Sequence, residues 1–111
     1  MSASKTTLTL LLGAAASLGA AAWAGEAPAP PAKVRTLCQN CHGENGVAVL
    51  PGAANLGGQQ KEYLRTQLRA FRSGRRQDPV MSTVAKTLTD DEIEEVTGWY
   101  SAIKVTVELP K

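Results

Sequence analysis

Cys38-Gln39-Asn40-Cys41-His42, followed at once by Gly43, constrains this chain more than any other stretch. The spacing is C-x-x-C-H, the attachment pattern of a c-type haem. Each residue type has a chemical reason. Two thiols three positions apart can add to the two vinyl groups of one porphyrin. A histidine directly after the second thiol is then held under the iron as the proximal ligand. The chain has 2 cysteines and 1 histidine, all inside this run, so nothing is left over for a competing site.

Other uses of the motif fit less well. A structural zinc site takes four Cys or His ligands, and only three are present. A thioredoxin-like C-x-x-C sits near a βαβ pattern with its reactive thiol at a helix N-terminus. Here Lys33-Val34-Arg35-Thr36-Leu37 precedes Cys38, after a proline-rich stretch, and does not read as a buried strand. A plain disulfide leaves His42 without a role.

The first residues read as an export signal. Lys5 gives a positive start, Leu8 to Ala22 is an apolar run, and Ala22-Trp23-Ala24 is a small-x-small cleavage site. The run falls short of the roughly 20 apolar residues of a membrane-spanning helix. Residues 1–24 are therefore expected to be cleaved, 25–32 to form a Pro/Ala-rich leader, and 33–111 to form one domain. An exported chain in a periplasm-like compartment suits covalent haem chemistry. Removing 24 of the 111 residues leaves 87. A chain this small gains from a cofactor that supplies apolar surface to its core.

Charge is nearly balanced. Without Lys5 the 12 Lys and Arg fall to 11 against 10 Asp and Glu, a net +1. Two ionised propionates would bring a ferrous haem form to about −1. No net basic surface supports nucleic-acid binding. In sequence the charges are segregated: Lys61, Arg65, Arg69, Arg72, Arg75 and Arg76 in one stretch, Asp90, Asp91, Glu92, Glu94 and Glu95 in another. This predicts a dipolar molecule whose two charged stretches orient it toward partners.

The pattern is all-α. A first helix is expected over about 32–40, with Val34, Leu37, Cys38 and Cys41 on one side and Gly43 as a left-handed cap. Glu44-Asn45-Gly46 is a turn signal, and the glycine-rich stretch 47–60 reads as a loop. A second helix spans about 60–73 with a Leu64, Leu68, Phe71 stripe, arginines outside, and Gly74 closing it. Arg75 to Val80 reads as the next loop, fixed late by Asp78-Pro79. Met81 follows in the loop region between helices, with a short helical turn to Lys86 as a candidate. The last helix is announced by the capping box Thr89-Asp90-Asp91-Glu92, with Leu88 and Ile93 at staple positions. Its inner face is Ile93, Val96, Trp99, Tyr100 and Ile103.

Met1 would be lost with the export signal, which leaves Met81 as the one thioether of the mature chain, 39 positions after His42. An average methionine fills a core gap. Beside a haem with a single histidine, Met81 becomes the candidate for the second axial ligand.

These segments together resemble the class I c-type cytochromes, of the short monohaem kind that also forms each half of the tandem dihaem cytochromes. The matching residues are Cys38–Gly43, Pro51 through Gly58-Gln59, Tyr63-Leu64, Gln67-Leu68, Phe71–Gly74, Met81 with Ala85, and Asp91–Tyr100. The resemblance implies a small cytochrome c fold, three main helices and loops wrapped around one covalent haem c. Cys38 and Cys41 would hold the haem, with His42 and Met81 as iron ligands. It implies that the first helix crosses the last near Trp99 and Tyr100, with Gly98 permitting close approach. It also implies a loop carbonyl, usually from the proline of a P-x-L-x-G segment, bonded to the proximal histidine. Here Ala54-Asn55-Leu56-Gly57-Gly58 replaces that proline, and Gly57 is expected to loosen the loop further.

The implied function is that of a periplasmic electron carrier, not an enzyme. Its partners would be redox proteins such as a membrane respiratory complex and a terminal oxidase or reductase. The mature form would have no membrane span and be a monomer or weak oligomer. The alternatives are a dedicated haem subunit of an oxidoreductase, or a haem peroxidase or gas-binding protein if the Met81 position is open.

Overall fold

In the computed structural model the described residues are Met1, Gly25 and 27–111. The expected export signal lies outside them, apart from Met1. Four helical elements follow one another, with no strand among the described residues. The expected all-α class is borne out.

Helix α1 joins a π-helical turn, Val34–Cys38, to an α-turn, Gln39–His42. The wider turn closes through the Gln39 N–H donating to the Val34 carbonyl. Nothing in the residue pattern separates it from an α-turn, since Val34 and Cys38 share a face in both. Such widened turns recur at functional sites. Gly43 ends the helix at φ 70, ψ 153. The φ is positive, as the expected glycine cap requires, but the ψ lies outside the left-handed helical region. A Cβ there would lie 2.4 Å from the Val47 carbonyl oxygen, so the position admits only glycine.

Helix α2 is Lys61–Ser73, closed by Gly74 in the left-handed conformation at φ 80, ψ 2. Helix α3 is Met81–Lys86. Met81 is thus the first residue of a helix and not a loop residue as expected. The anchor is Asp78, whose side chain takes the first free N–H groups of that turn. Helix α4 is Asp90–Ala102 and begins with both halves of the capping box in place. The Thr89 N–H donates to Glu92 Oε2 at 2.9 Å, and the Glu92 N–H donates to Thr89 Oγ1 at 3.2 Å. Leu88 and Ile93, the staple pair, are both buried.

The core is built where three helices meet. Val34 of α1, Leu64 of α2, and Val96 and Tyr100 of α4 form one buried cluster. Cys38, Leu56, Leu68, Trp99 and Ile103 pack against it, partly buried. Each buried aliphatic side chain contributes about 1.5–3 kcal/mol. Helix α2 packs on both α3 and α4. Helix α1 reaches α4 through Val34, at Tyr100 and Val96. Gly98 is not at that junction: a Cβ added there meets only the Lys61 Nζ at 3.8 Å. It faces α2, one helical step away from Trp99 and Tyr100.

The two charged stretches, segregated in sequence, meet in the fold. The basic face of α2 and the acidic face of α4 lie side by side and pair. Glu94 receives Lys61 at 3.2 Å, Arg65 at 3.1 Å and Arg69 at 3.7 Å. Arg72 reaches Asp90 Oδ1 at 2.5 Å and donates to the Leu88 carbonyl at 3.1 Å. Lys33 meets Glu92 at 3.5 Å, joining α1 to α4. Stretches far apart in the chain become neighbours because their helices pack.

Candidate haem cleft

The packing leaves a cavity of about 520 Å³ between the helices and the 43–60 loop. Cys38, Cys41 and His42 line it from α1, Met81 from α3. The other walls are mainly apolar, with Leu64, Leu68, Phe71, Val84, Val96 and Tyr100 among them. All four residues singled out from the sequence therefore share one cleft.

His42 is buried, with 9 % of its surface exposed. Its Nδ1 lies 2.7 Å from the Ala54 carbonyl oxygen. A carbonyl can only accept, so Nδ1 carries the proton and Nε2 keeps a free lone pair. Alanine in place of proline has not cost the chain this bond. Gly57, expected to loosen the loop, instead tightens it. The N–H groups of Leu56 and Gly57 both donate to the Gly46 carbonyl, at 2.8 and 3.1 Å. A Cβ on Gly46 would lie 2.2 Å from the Gly57 nitrogen, and one on Gly57 would lie 2.8 Å from the Asn45 oxygen. Two glycines thus let the loop's two limbs touch and bring Ala54 to His42. The Asn55 side chain adds a further tie, accepting the Ala48 N–H at 2.8 Å.

The α1–loop corner is also pinned from α4. Tyr100 donates its hydroxyl to the Gly43 carbonyl at 2.8 Å. Burial pushes the Tyr100 phenol well above its ordinary range, with the neighbouring Cys38 and Glu44 adding to the shift. Trp99 is half-buried, and its indole N–H donates to the Glu44 carbonyl at 2.8 Å.

The cysteines are half-buried and free. Burial pushes the Cys38 thiol up to about 11, outweighing a backbone hydrogen bond and Lys33. A thiol–disulfide exchanger needs the opposite shift. Among the described residues no three His, Cys, Asp or Glu side chains converge as a metal-binding group. The donor set fits an iron porphyrin instead: two thiols at attachment spacing, an imidazole with Nε2 free, and a thioether on a mainly apolar cavity.

Two further residues, Asp78 and Arg76, line the cleft; the sequence places Arg76 with Arg72 and Arg75 as able to approach haem propionates, against the commoner solvent-facing role. Asp78 lines the cavity and holds the start of α3; Asp before Pro at a helix start is a readable capping signal. Arg76 lines it too, 4.5 Å above the Phe71 ring and donating to Gln67 Oε1 at 2.6 Å. Its approach depends on a side-chain stack that no sequence pattern announces. Arg72 and Arg75 do not line the cleft.

No protein-family model matches the chain. Similar proteins do. Cytochrome c-554(548) of Halomonas halodenitrificans is 35% identical over 82 residues, covering 71% of this chain and 98% of that protein. The thiosulfate dehydrogenase electron acceptor of Thiomonas intermedia is 38% identical over 95 residues, covering 82% of this chain and 43% of that one. The crystal structure of reduced recombinant cytochrome c4 from Pseudomonas stutzeri superposes with a TM-score of 0.57 at 36% identity, covering 60% of this chain and 38% of that one. The chain thus spans nearly the whole of one relative and less than half of the longer two. A carrier matched almost end to end, on a helical frame shared with cytochrome c4, agrees with the cleft's chemistry: the chain belongs to the class I c-type cytochromes, electron-transfer proteins carrying covalent haem c.

Proposed function

We propose that this cytochrome is a periplasmic one-electron carrier whose haem is joined through Cys38 and Cys41, with His42 and Met81 as axial ligands. The observation that carries the reading is the His42 Nδ1–Ala54 carbonyl bond at 2.7 Å in a cleft shared with both thiols and Met81. Haem c supplies a ferric/ferrous couple when bound. The Ala54 carbonyl fixes the imidazole's tautomer and raises its basicity. The Met81 thioether favours the ferrous form and raises the potential. The apolar walls exclude water. Leu50, Tyr63 and Val80 line the cleft yet stay about half exposed, at 51, 49 and 57 %, and so offer apolar surface to a partner.

Residues 1–24 act as a cleaved export signal and 25–32 as a leader; Lys5, the apolar run and Ala22-Trp23-Ala24 support this. No helix among the described residues is long and apolar enough to cross a membrane. The donor is a redox protein, and the Thiomonas relative, named for accepting electrons from thiosulfate dehydrogenase, favours a periplasmic dehydrogenase. The acceptor is a respiratory complex or terminal reductase.

The test is spectroscopic. Acid-acetone should leave the haem on the purified protein. The ferric form should show the weak near-infrared sulfur-to-iron band, absent in Met81→Ala together with a fall in potential. Extractable haem, or a band that persists in Met81→Ala, would refute the assignment.

A further inference from the structure

We infer that Asp78 is the residue that positions Met81 for the iron; this rests on the Met81 assignment proposed above. Asp78 Oδ1 accepts the N–H of Met81 at 2.8 Å and of Val80 at 2.9 Å. The Asp78 N–H donates to Ser82 Oγ at 3.0 Å, and the Asp78 carbonyl accepts the Ser82 N–H at 3.1 Å. Four hydrogen bonds from one residue, three to backbone N–H groups and one to the Ser82 hydroxyl, thus close around Met81 from both sides. Pro79 adds a fixed φ at a place where its missing N–H costs nothing.

Helix α3 has only 6 residues, Met81–Lys86, too few to hold its first turn by propensity. Its start depends on tertiary packing and on this clamp. Asp78 and Met81 line the same cleft, yet Asp78 is exposed and adds nothing to the apolar core. Its bonds go to the Met81 turn. Without them that turn frays, and the thioether leaves the cleft more often. The carboxylate thereby governs how readily another ligand takes the methionine's place, with no contact to the reacting atoms.

The experiment titrates the ferric holoprotein with imidazole, which competes with the thioether for iron, and follows the near-infrared band. Wild type, Asp78→Ala, Asp78→Asn and Met81→Ala are compared, with unfolding midpoints measured on the same samples. Asp78→Ala should bind imidazole about five- to tenfold more tightly than wild type, the change that losing one capping side chain would produce in the population of the open turn. Asp78→Asn keeps an acceptor oxygen and should stay near wild type. An imidazole affinity unchanged in Asp78→Ala, with the band retained, overturns the inference even if the unfolding midpoint falls. A wild type that lacks the band and binds imidazole as tightly as Met81→Ala refutes the Met81 assignment itself, and the role of Asp78 falls with it.

Discussion

The Tyr100 hydroxyl donates to the carbonyl of Gly43, 57 positions earlier, at 2.8 Å, and so ties the last helix to the residue that follows the haem motif. Both groups are buried. Tyr100→Phe should leave the Gly43 carbonyl with only the longer bond from the Gly46 N–H, at 3.3 Å, and cost the holoprotein about 1 kcal/mol in denaturant unfolding. A loss near zero would mean that water replaces the phenol.

Trp99 beside it behaves differently. Half-buried and bonded to the Glu44 carbonyl, it is less deeply placed than its core pattern suggested. Trp99→Phe should cost about 1 kcal/mol for the lost bond. Trp99→Ala should cost about 2–3 kcal/mol, below the range of a fully buried aromatic. Chemical denaturation of the two variants separates the bond from the packing.

Ala54 supplies a carbonyl to His42, and its N–H makes no hydrogen bond among the described residues. Ala54→Pro therefore keeps the acceptor and removes freedom from the unfolded chain. It should raise stability by about 0.4–1 kcal/mol, read as a higher melting temperature with an unchanged ferric spectrum. A lower melting temperature would show that the native backbone at 54 rejects a proline φ.

The paired helix faces predict a pH dependence. Hydrogen bonds from Arg72 hold the Asp90 carboxyl below its ordinary 3.8. Arg65 and then Lys61 hold Glu94 below its ordinary 4.5. The folded state thus binds protons more weakly than the unfolded chain. The stability these groups add is complete above about pH 5 and is lost as pH falls through their lowered folded values. Asp90→Asn should flatten that loss on the acid side. Because the pairs are exposed, the effect is small and shrinks with salt. Urea unfolding at several pH values checks it. Charge reversal at Arg72 should lower stability more than it alters electron-transfer rate.

The candidate haem residues were legible because covalent haem attachment demands thiols and an imidazole at one spacing within five residues. The last helix was legible because the Thr89–Glu92 capping box and the Leu88–Ile93 staple are local in the chain. Helix α2 was legible for a similar reason: its apolar stripe repeats every three to four residues and a glycine stops it. These features need no knowledge of distant neighbours, so the sequence by itself determined the helices, the cofactor and the candidate axial pair. What pairs across the fold was decided only by tertiary structure. Gly57 pressing on Gly46 reverses the expected looseness of the loop, and Glu94 gathers three cations from a stretch that residue order sets apart from it. A π-turn in α1 and the Asp78 clamp on α3 set where Cys41 and Met81 stand. Each depends on which backbone or side chain comes within a few ångströms, and residue order alone does not carry that distance.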